Sequence, residues 1–166
     1  DYYNPDPYFW PRKDENGKRL PQAGYVKKRN RVPGTILYEE ESEAFDRTSL
    51  VAMQWNTTVL ALGSFFTGNS EYGEIAARNI RTWFLDKETR MNPSLHFAQV
   101  RGNHGKVNEA GIVEMKDVYF LLDAIRILEA GWLLTKVESM GLKLWFTNFL
   151  QWMEAIDIEH VRDNYE

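Results

Sequence analysis

The amino-acid sequence predicts an all-α chain built of antiparallel helical hairpins. Two stretches carry apolar residues at three- and four-residue spacing, Tyr72-Ile75-Ala76-Ile80-Trp83 and Val118-Leu121-Leu122-Ile125-Leu128, the period of one buried helix face. No window shows the every-second-residue alternation of a half-buried strand. The breaks between periodic stretches, at Gly68-Asn69 and just before Thr135, hold helix stop and start residues.

In chain order, a first helix is expected over 46–67 through Leu50, Val51, Val59, Leu60, Leu62, Phe65 and Phe66, closed by Gly68-Asn69. Ser70 is placed to cap a second helix over 70–85. Residues 86–112 carry loop chemistry in Asn92-Pro93, Gly102, Gly105 and Gly111, and a third helix follows over 113–130. Thr135 with Glu138 three residues on has the capping-box pattern, opening a fourth helix over 135–156. Ile80-Arg81-Thr82-Trp83-Phe84 is echoed by Leu142-Lys143-Leu144-Trp145-Phe146, as in an array of similar hairpins whose members need neighbours to bury their apolar faces. Residues 1–45 differ: Pro5, Pro7, Pro11, Pro21 and Pro33 with Gly17, Gly24 and Gly34 predict a mostly irregular arm. A loop that long is usually a lid or a binding arm. The expected organisation is therefore an arm over 1–45 and helical hairpins over 46–166.

The composition of these 166 residues, 43% hydrophobic and 14% aromatic, supports a packed core. A formal net charge of −4 argues against a nucleic-acid partner. The absence of cysteine excludes disulfides, thiolate metal sites and thiol nucleophiles. No run approaches the ~18 apolar residues of a membrane span, so no membrane partner is expected. The sequence opens on Asp1-Tyr2-Tyr3, so any targeting segment is expected to have been removed or to lie outside it. Six tryptophans, eight tyrosines and nine phenylalanines serve a core, and their faces also stack on sugar rings.

Several motifs in order resemble the alginate lyase family. They are Phe66-Thr67-Gly68-Asn69, then Tyr72-Gly73-Glu74-Ile75-Ala76-Ala77, Arg81 to Asp86, Thr89 to Pro93, and Phe97-Ala98-Gln99. Upstream, Asp1-Tyr2-Tyr3 and Tyr8-Phe9-Trp10-Pro11 resemble the family's aromatic opening segment. The resemblance implies part of an incomplete (α/α) toroid with an open cleft, and a secreted enzyme cleaving an acidic polysaccharide by β-elimination. The family's reacting Asn-His-Gly element and tyrosine are expected beyond Glu166, so this chain is assigned no catalytic residue and is expected to be inactive alone. Its expected partners are the polysaccharide and the remaining C-terminal part of the toroid. His96 and Phe97 stand where the family triplet has an asparagine and a tyrosine, a departure that bears on substrate preference.

Uronate β-elimination requires that the carboxylate be neutralised, that a base take the α-proton, and that an acid protonate the leaving oxygen. Hydrogen bonds and cations meet the first requirement, so no metal or organic cofactor is expected. Tyr25, Lys28 and Arg29, within the basic run to Arg31, resemble the family's lid loop; a solvated patch paired with Glu39-Glu40-Glu41 is the plainer reading. Gln99 is expected to face the cleft, or else to cap a loop, and Arg101 to clamp a carboxylate, or else to lie on the surface. Asn103-His104-Gly105 reads like the reacting element but stands directly after the Ala-Gln signature. His104 is therefore expected to line the cleft without transferring a proton. His96 points into the cleft or into the core, and His160 has no expected role. Asn56-Thr57-Thr58 fits a glycosylation pattern in mid-helix and is read as chance. The alternatives to a lyase are a non-catalytic carbohydrate-binding or structural helical domain, and a helical scaffold binding an acidic protein through Lys27–Arg31.

Overall fold

A computed structural model describes residues 1–101 and 109–156, with the backbone alone at Pro21, Gln22 and Glu109. Its chain order is β1 (Tyr3–Pro5), β2 (Phe9–Lys13), β3 (Arg19–Lys27), α1 (Asp46–Thr67), α2 (Ser70–Ile80), β4 (Phe97–Val100), α3 (Val118–Ala130) and α4 (Lys136–Glu154). Short 3-10 turns occupy Ser42–Ala44 and Glu109–Met115, and a π turn Arg81–Leu85 prolongs α2. The chain divides into one unit of residues 1–49, 95–114 and 156–166 and a second of residues 50–94 and 115–155. The helical expectation holds for most of 46–154, and among the described residues four short strands accompany the helices, so the chain is mainly helical without being purely α.

The second unit is helical. α1 stops at Gly68, whose φ of +71 suits glycine and whose N–H returns to the Ser64 carbonyl at 2.9 Å. Asn69, not Ser70, caps α2: its backbone is extended and its side chain accepts the Glu71 N–H at 2.9 Å. Gly63 packs on Tyr72, Gly73 on Ser64, and Asn79 Nδ2 donates to Thr57 Oγ1 at 3.4 Å, so contacts climb α2 as they descend α1. These two helices form an antiparallel hairpin. Gly73 admits no Cβ without displacing Leu133 and Ser64, which sets how closely the helix approaches its neighbours.

The repeated Trp-Phe motifs meet in this unit. Phe84, 1% exposed, places its ring edge-on to Trp145 at 4.6 Å and tilted against Phe146 at 5.6 Å. Trp145 stacks on Phe149 and donates Nε1 to the Met91 carbonyl at 2.8 Å, so its one polar atom is satisfied. Arg81 meets Glu138 near the start of α4 and Phe84 meets Trp145 further along it, so α4 runs in the same direction as the end of α2. The capping box forms as expected, Glu138 N–H to Thr135 Oγ1 at 3.2 Å and Thr135 N–H to Glu138 Oε2 at 2.7 Å. α3 begins at Val118 rather than at 113, because the preceding residues form the tighter 3-10 turn.

In the first unit, the arm expected to be mostly irregular over 1–45 holds three short strands joined by irregular segments. β2 and β3 form an antiparallel hairpin with Phe9 opposite Lys27, Trp10 opposite Val26 and Pro11 opposite Tyr25. Its turn is built by Asp14, whose Oδ1 accepts the Asn16 and Lys18 N–H groups at 2.9 and 2.8 Å, and by Gly17 at φ +80. Prolines are tolerated because each strand of a two-stranded sheet has an unbonded edge, where a missing N–H costs nothing. β1 pairs in parallel with β4.

Two apolar stripes remain on the helices. Trp55, Val59, Leu62 and Phe66 lie at helical spacing on α1, and Val137, Met140 and Leu144 on α4, all exposed. On α3, Tyr119, Phe120 and Leu122 are exposed as well. Among the described residues no helix is long and apolar enough to cross a membrane.

Arg81 ties the end of α2 to the start of α4: Nε donates to Glu138 Oε1 at 2.5 Å and a terminal nitrogen to the Leu133 carbonyl at 2.8 Å. The Arg81 hydrogen bond, aided by the Thr135 contacts, lowers the Glu138 carboxyl from 4.5 to about 2. A depressed folded-state pKa contributes stability that is complete above pH 4.5 and lost as the pH falls towards about 2. Urea denaturation of Glu138→Gln should show a loss of about 1–2 kcal/mol at neutral pH, discounted because both side chains meet solvent. The difference from the parent protein should shrink steadily below pH 4.5; a pH-independent difference would show that the ion pair contributes nothing.

Candidate functional site

Of the residues singled out from the sequence, Tyr25, His96, Gln99 and Arg101 lie in or beside the strands of the first unit. Tyr3 lies opposite Phe97 and Pro5 opposite Val100, so β4 carries one residue more than β1 over the same span. That extra residue produces a bulge at Gln99, whose φ is +51. A side chain in the left-handed region costs about 1 kcal/mol and persists only where surrounding contacts hold it. Here the holding group is Glu114, to which Gln99 Nε2 donates.

Glu114 is 5% exposed and collects the donors of a polar interior. Besides Gln99, it accepts the Tyr2 hydroxyl on Oε2 and Asn4 Nδ2 on Oε1 at 2.8 Å. Burial, and then the Glu114 charge, raise the Tyr2 phenol well above its ordinary range, so it stays a donor. Asn4 is fully buried, and its Oδ1 has no partner among the described residues. The 3-10 turn bearing Glu114 reaches β4 through Gly111, where an added Cβ would lie 2.8 Å from the Ala98 Cβ and 3.0 Å from its carbonyl oxygen. A carboxylate only accepts, so it fixes which end of the Gln99 amide turns inward. Sequence reasoning missed Glu114; the signal available was a lone acid in the apolar run Gly111-Ile112-Val113-Glu114-Met115.

Arg101 follows β4 and donates Nε to Asp6 at 2.9 Å, while its guanidinium carbon sits 5.7 Å from the Phe9 ring centroid. Lys27 Nζ is 5.9 Å from the same ring, so two cations flank one aromatic. Strand alternation puts Tyr25 and Pro11 on the face of the hairpin that carries Phe9 and Lys27. The Tyr25 hydroxyl lies 3.0 Å from that of Tyr3, and Tyr3 N–H donates to Asp46 Oδ2 at 2.8 Å. Burial, and then the Tyr3 hydrogen bond, push the Tyr25 phenol up. At neutral pH it is therefore an uncharged phenol.

Lys28 was expected beside Tyr25, and the structure separates them. Its Nζ lies 4.5 Å from the Trp10 ring centroid, on the opposite face of the hairpin. Tyr25 itself belongs to strand β3, where a lid loop was expected. Arg29 is exposed. His96 is half-buried, edge-on to the exposed Phe97 at 4.8 Å. His104 and its neighbours Asn103 and Gly105 lie outside the described residues, as does His160. The structure thus brings Tyr25, Gln99 and Arg101 to one strand cluster with Lys27 and Glu114, but not Lys28.

Among the described residues no group of three or more His, Cys, Asp or Glu side chains could hold a metal ion. What this cluster can do chemically is bind an anion: half-exposed Arg101 and exposed Lys27 supply charge, and the Tyr25 hydroxyl supplies a directional hydrogen bond. The second unit has a hollow of its own, about 340 Å³, between the Arg90–Pro93 turn and α4.

The alginate lyase family model matches residues 1–164. A crystal structure of an alginate lyase from Bacteroides ovatus superposes with a TM-score of 0.74 at 31% identity, covering 93% of this chain. The match spans 39% of that lyase's own length. A search among curated proteins gives no match. With nearly its whole length matched by the family and by a structure at that identity, the chain belongs to the alginate lyase family.

Proposed function

We propose that this chain supplies part of the cleft and the lid of a polysaccharide lyase that cleaves alginate or a related uronate polymer by β-elimination. The observation that carries the reading is the β1–β4 pair, which in a chain of this family sets Gln99 and Arg101 along the strand bearing Tyr3, the partner of Tyr25. Arg101 and Lys27 neutralise the uronate carboxylate, which makes the proton α to it acidic. Gln99, its amide held by Glu114, and Tyr25, its phenol held by Tyr3, orient the sugar. The reading assigns the base to no described residue, and the raised phenol of Tyr25 disfavours the phenolate that would accept a proton there. The substrate's size favours work outside the cell.

The same reading assigns an occupant to the exposed Val137-Met140-Leu144 stripe and the hollow beside it: the helical hairpin that continues the toroid. Apolar stripes of this kind are covered in helical arrays by the next repeat. The Bacteroides lyase, of which this chain spans 39%, has length to spare for such hairpins.

Two outcomes test the reading in the complete enzyme, followed through ultraviolet absorbance of the unsaturated product. Arg101→Lys keeps the charge that pairs Asp6 but loses the planar fork, so kcat and kcat/KM should both fall about tenfold. His104→Ala should retain most of the turnover; a dead His104 variant with a fully active Arg101 variant would place the reaction elsewhere. A non-catalytic carbohydrate-binding domain would bind polyuronate and release no unsaturated product.

Glu114→Gln tests the support beneath the site. The amide turns a donor towards Tyr2, Asn4 or Gln99, so the fold should lose about 1–3 kcal/mol. KM should rise as the Gln99 amide loses its orientation. Unchanged stability and KM would mean that Glu114 does not hold Gln99.

A further inference from the structure

The β2–β3 hairpin has a second face, and it carries a pattern the site above does not use. The ladder extends beyond the strands, with the Lys28 N–H bonded to the Tyr8 carbonyl at 2.9 Å, so Tyr8 stands opposite Lys28 just as Trp10 stands opposite Val26. Alternation places Tyr8, Trp10, Val26 and Lys28 together, on the side away from Phe9, Tyr25 and Lys27. Tyr8 and Val26 are exposed, at 39% and 41%.

Both aromatic rings on this face carry a cation. Lys28 Nζ lies 4.5 Å from the Trp10 centroid, and the Arg31 guanidinium carbon 5.7 Å from the Tyr8 centroid, with Arg31 Nε donating to the Tyr8 hydroxyl at 3.3 Å. The indole is fixed by its own hydrogen bond, Nε1 to the Asn30 carbonyl at 2.8 Å. Residues two apart on a strand are about 7 Å apart, so two ring-and-cation units stand side by side. The Glu39 carboxylate acts weakly on Arg31, and Lys28 is exposed above its ring.

We propose that this face, Tyr8, Trp10, Val26, Lys28 and Arg31, is a second binding site for acidic sugar, engaging a uronate chain away from the bond being cut. Each unit matches one sugar residue: the apolar side of a pyranose lies against ring or Val26, and its carboxylate meets the ammonium or guanidinium. A cation seated on a ring is already oriented, so less side-chain freedom is lost on binding. The site rests on the lyase reading, because the polymer it holds is that enzyme's substrate. Because the hairpin separates it from Tyr25, only a chain long enough to reach both faces feels it.

The test uses the complete enzyme with uronate oligomers of increasing length, comparing the parent with Lys28→Gln and Trp10→Ala. The ratio of variant to parent KM should climb with length, to about tenfold on the polymer, with kcat following the parent. An equal effect at every length would make this face part of the reaction site, and no effect at any length would remove it; either result overturns the proposal. Lys28→Gln changes an exposed side chain, so it keeps the test decisive if Trp10→Ala does not fold. If the parent cleaves no polyuronate, the lyase reading falls. The face is then judged by titrating long polyuronate against parent and Lys28→Gln, where equal affinity, or equal binding of a DNA duplex by the parent, overturns it.

Discussion

Glu114 holds the first unit together. Taking a carboxylate out of water costs several kcal/mol unless hydrogen bonds replace its hydration. Its donors come from Tyr2 and Asn4, flanking and within β1, and from Gln99 in the bulge of β4. Remove the carboxylate and those donors are left buried, two strands lose their common anchor, and the left-handed turn at Gln99 loses what sustains it. The close approach at Gly111 delivers that carboxylate, which explains why a short 3-10 turn occupies the place of the first turns of a longer α3.

The helical unit is stabilised differently. Its interior is mostly apolar, and its most buried large ring, Phe84, sits among Trp145 and Phe146 of α4. The polar contacts there are few and close a joint: Arg81 reaches both the capping-box glutamate and the Leu133 carbonyl, so helix capping and helix packing share one guanidinium. The stripes on α1 and α4 are apolar and exposed.

Electrostatics organises the hairpin. A chain with a net charge of −4 concentrates exposed cations on one two-stranded element, and each of Tyr8, Phe9 and Trp10 has at least one above its ring. Pairing cations with rings holds long side chains in place without neutralising them, as salt bridges would. Strand alternation then splits the charges between two faces, so cations adjacent in sequence, Lys27 and Lys28, serve opposite sides.

What the sequence by itself determined was local. The capping box at Thr135 and Glu138, the glycine stop at Gly68 and the helix periods all act within one or two turns, where backbone physics leaves few alternatives. The motifs that carry the alginate lyase resemblance were equally legible, and they pointed to Gln99 and to the stretch holding Tyr25, Lys28 and Arg29. The strands were not, because the prolines outweighed a real hairpin signal, Asn16-Gly17, and because β1 pairs with a segment more than ninety residues away. Tertiary structure alone decided that Gln99 is strained, that Glu114 carries it, and that Lys28 faces away from Tyr25. Each of these depends on strand register and on contacts between distant residues, which no sequence window spans; shifting the register by one residue would have turned every one of these side chains to the other face.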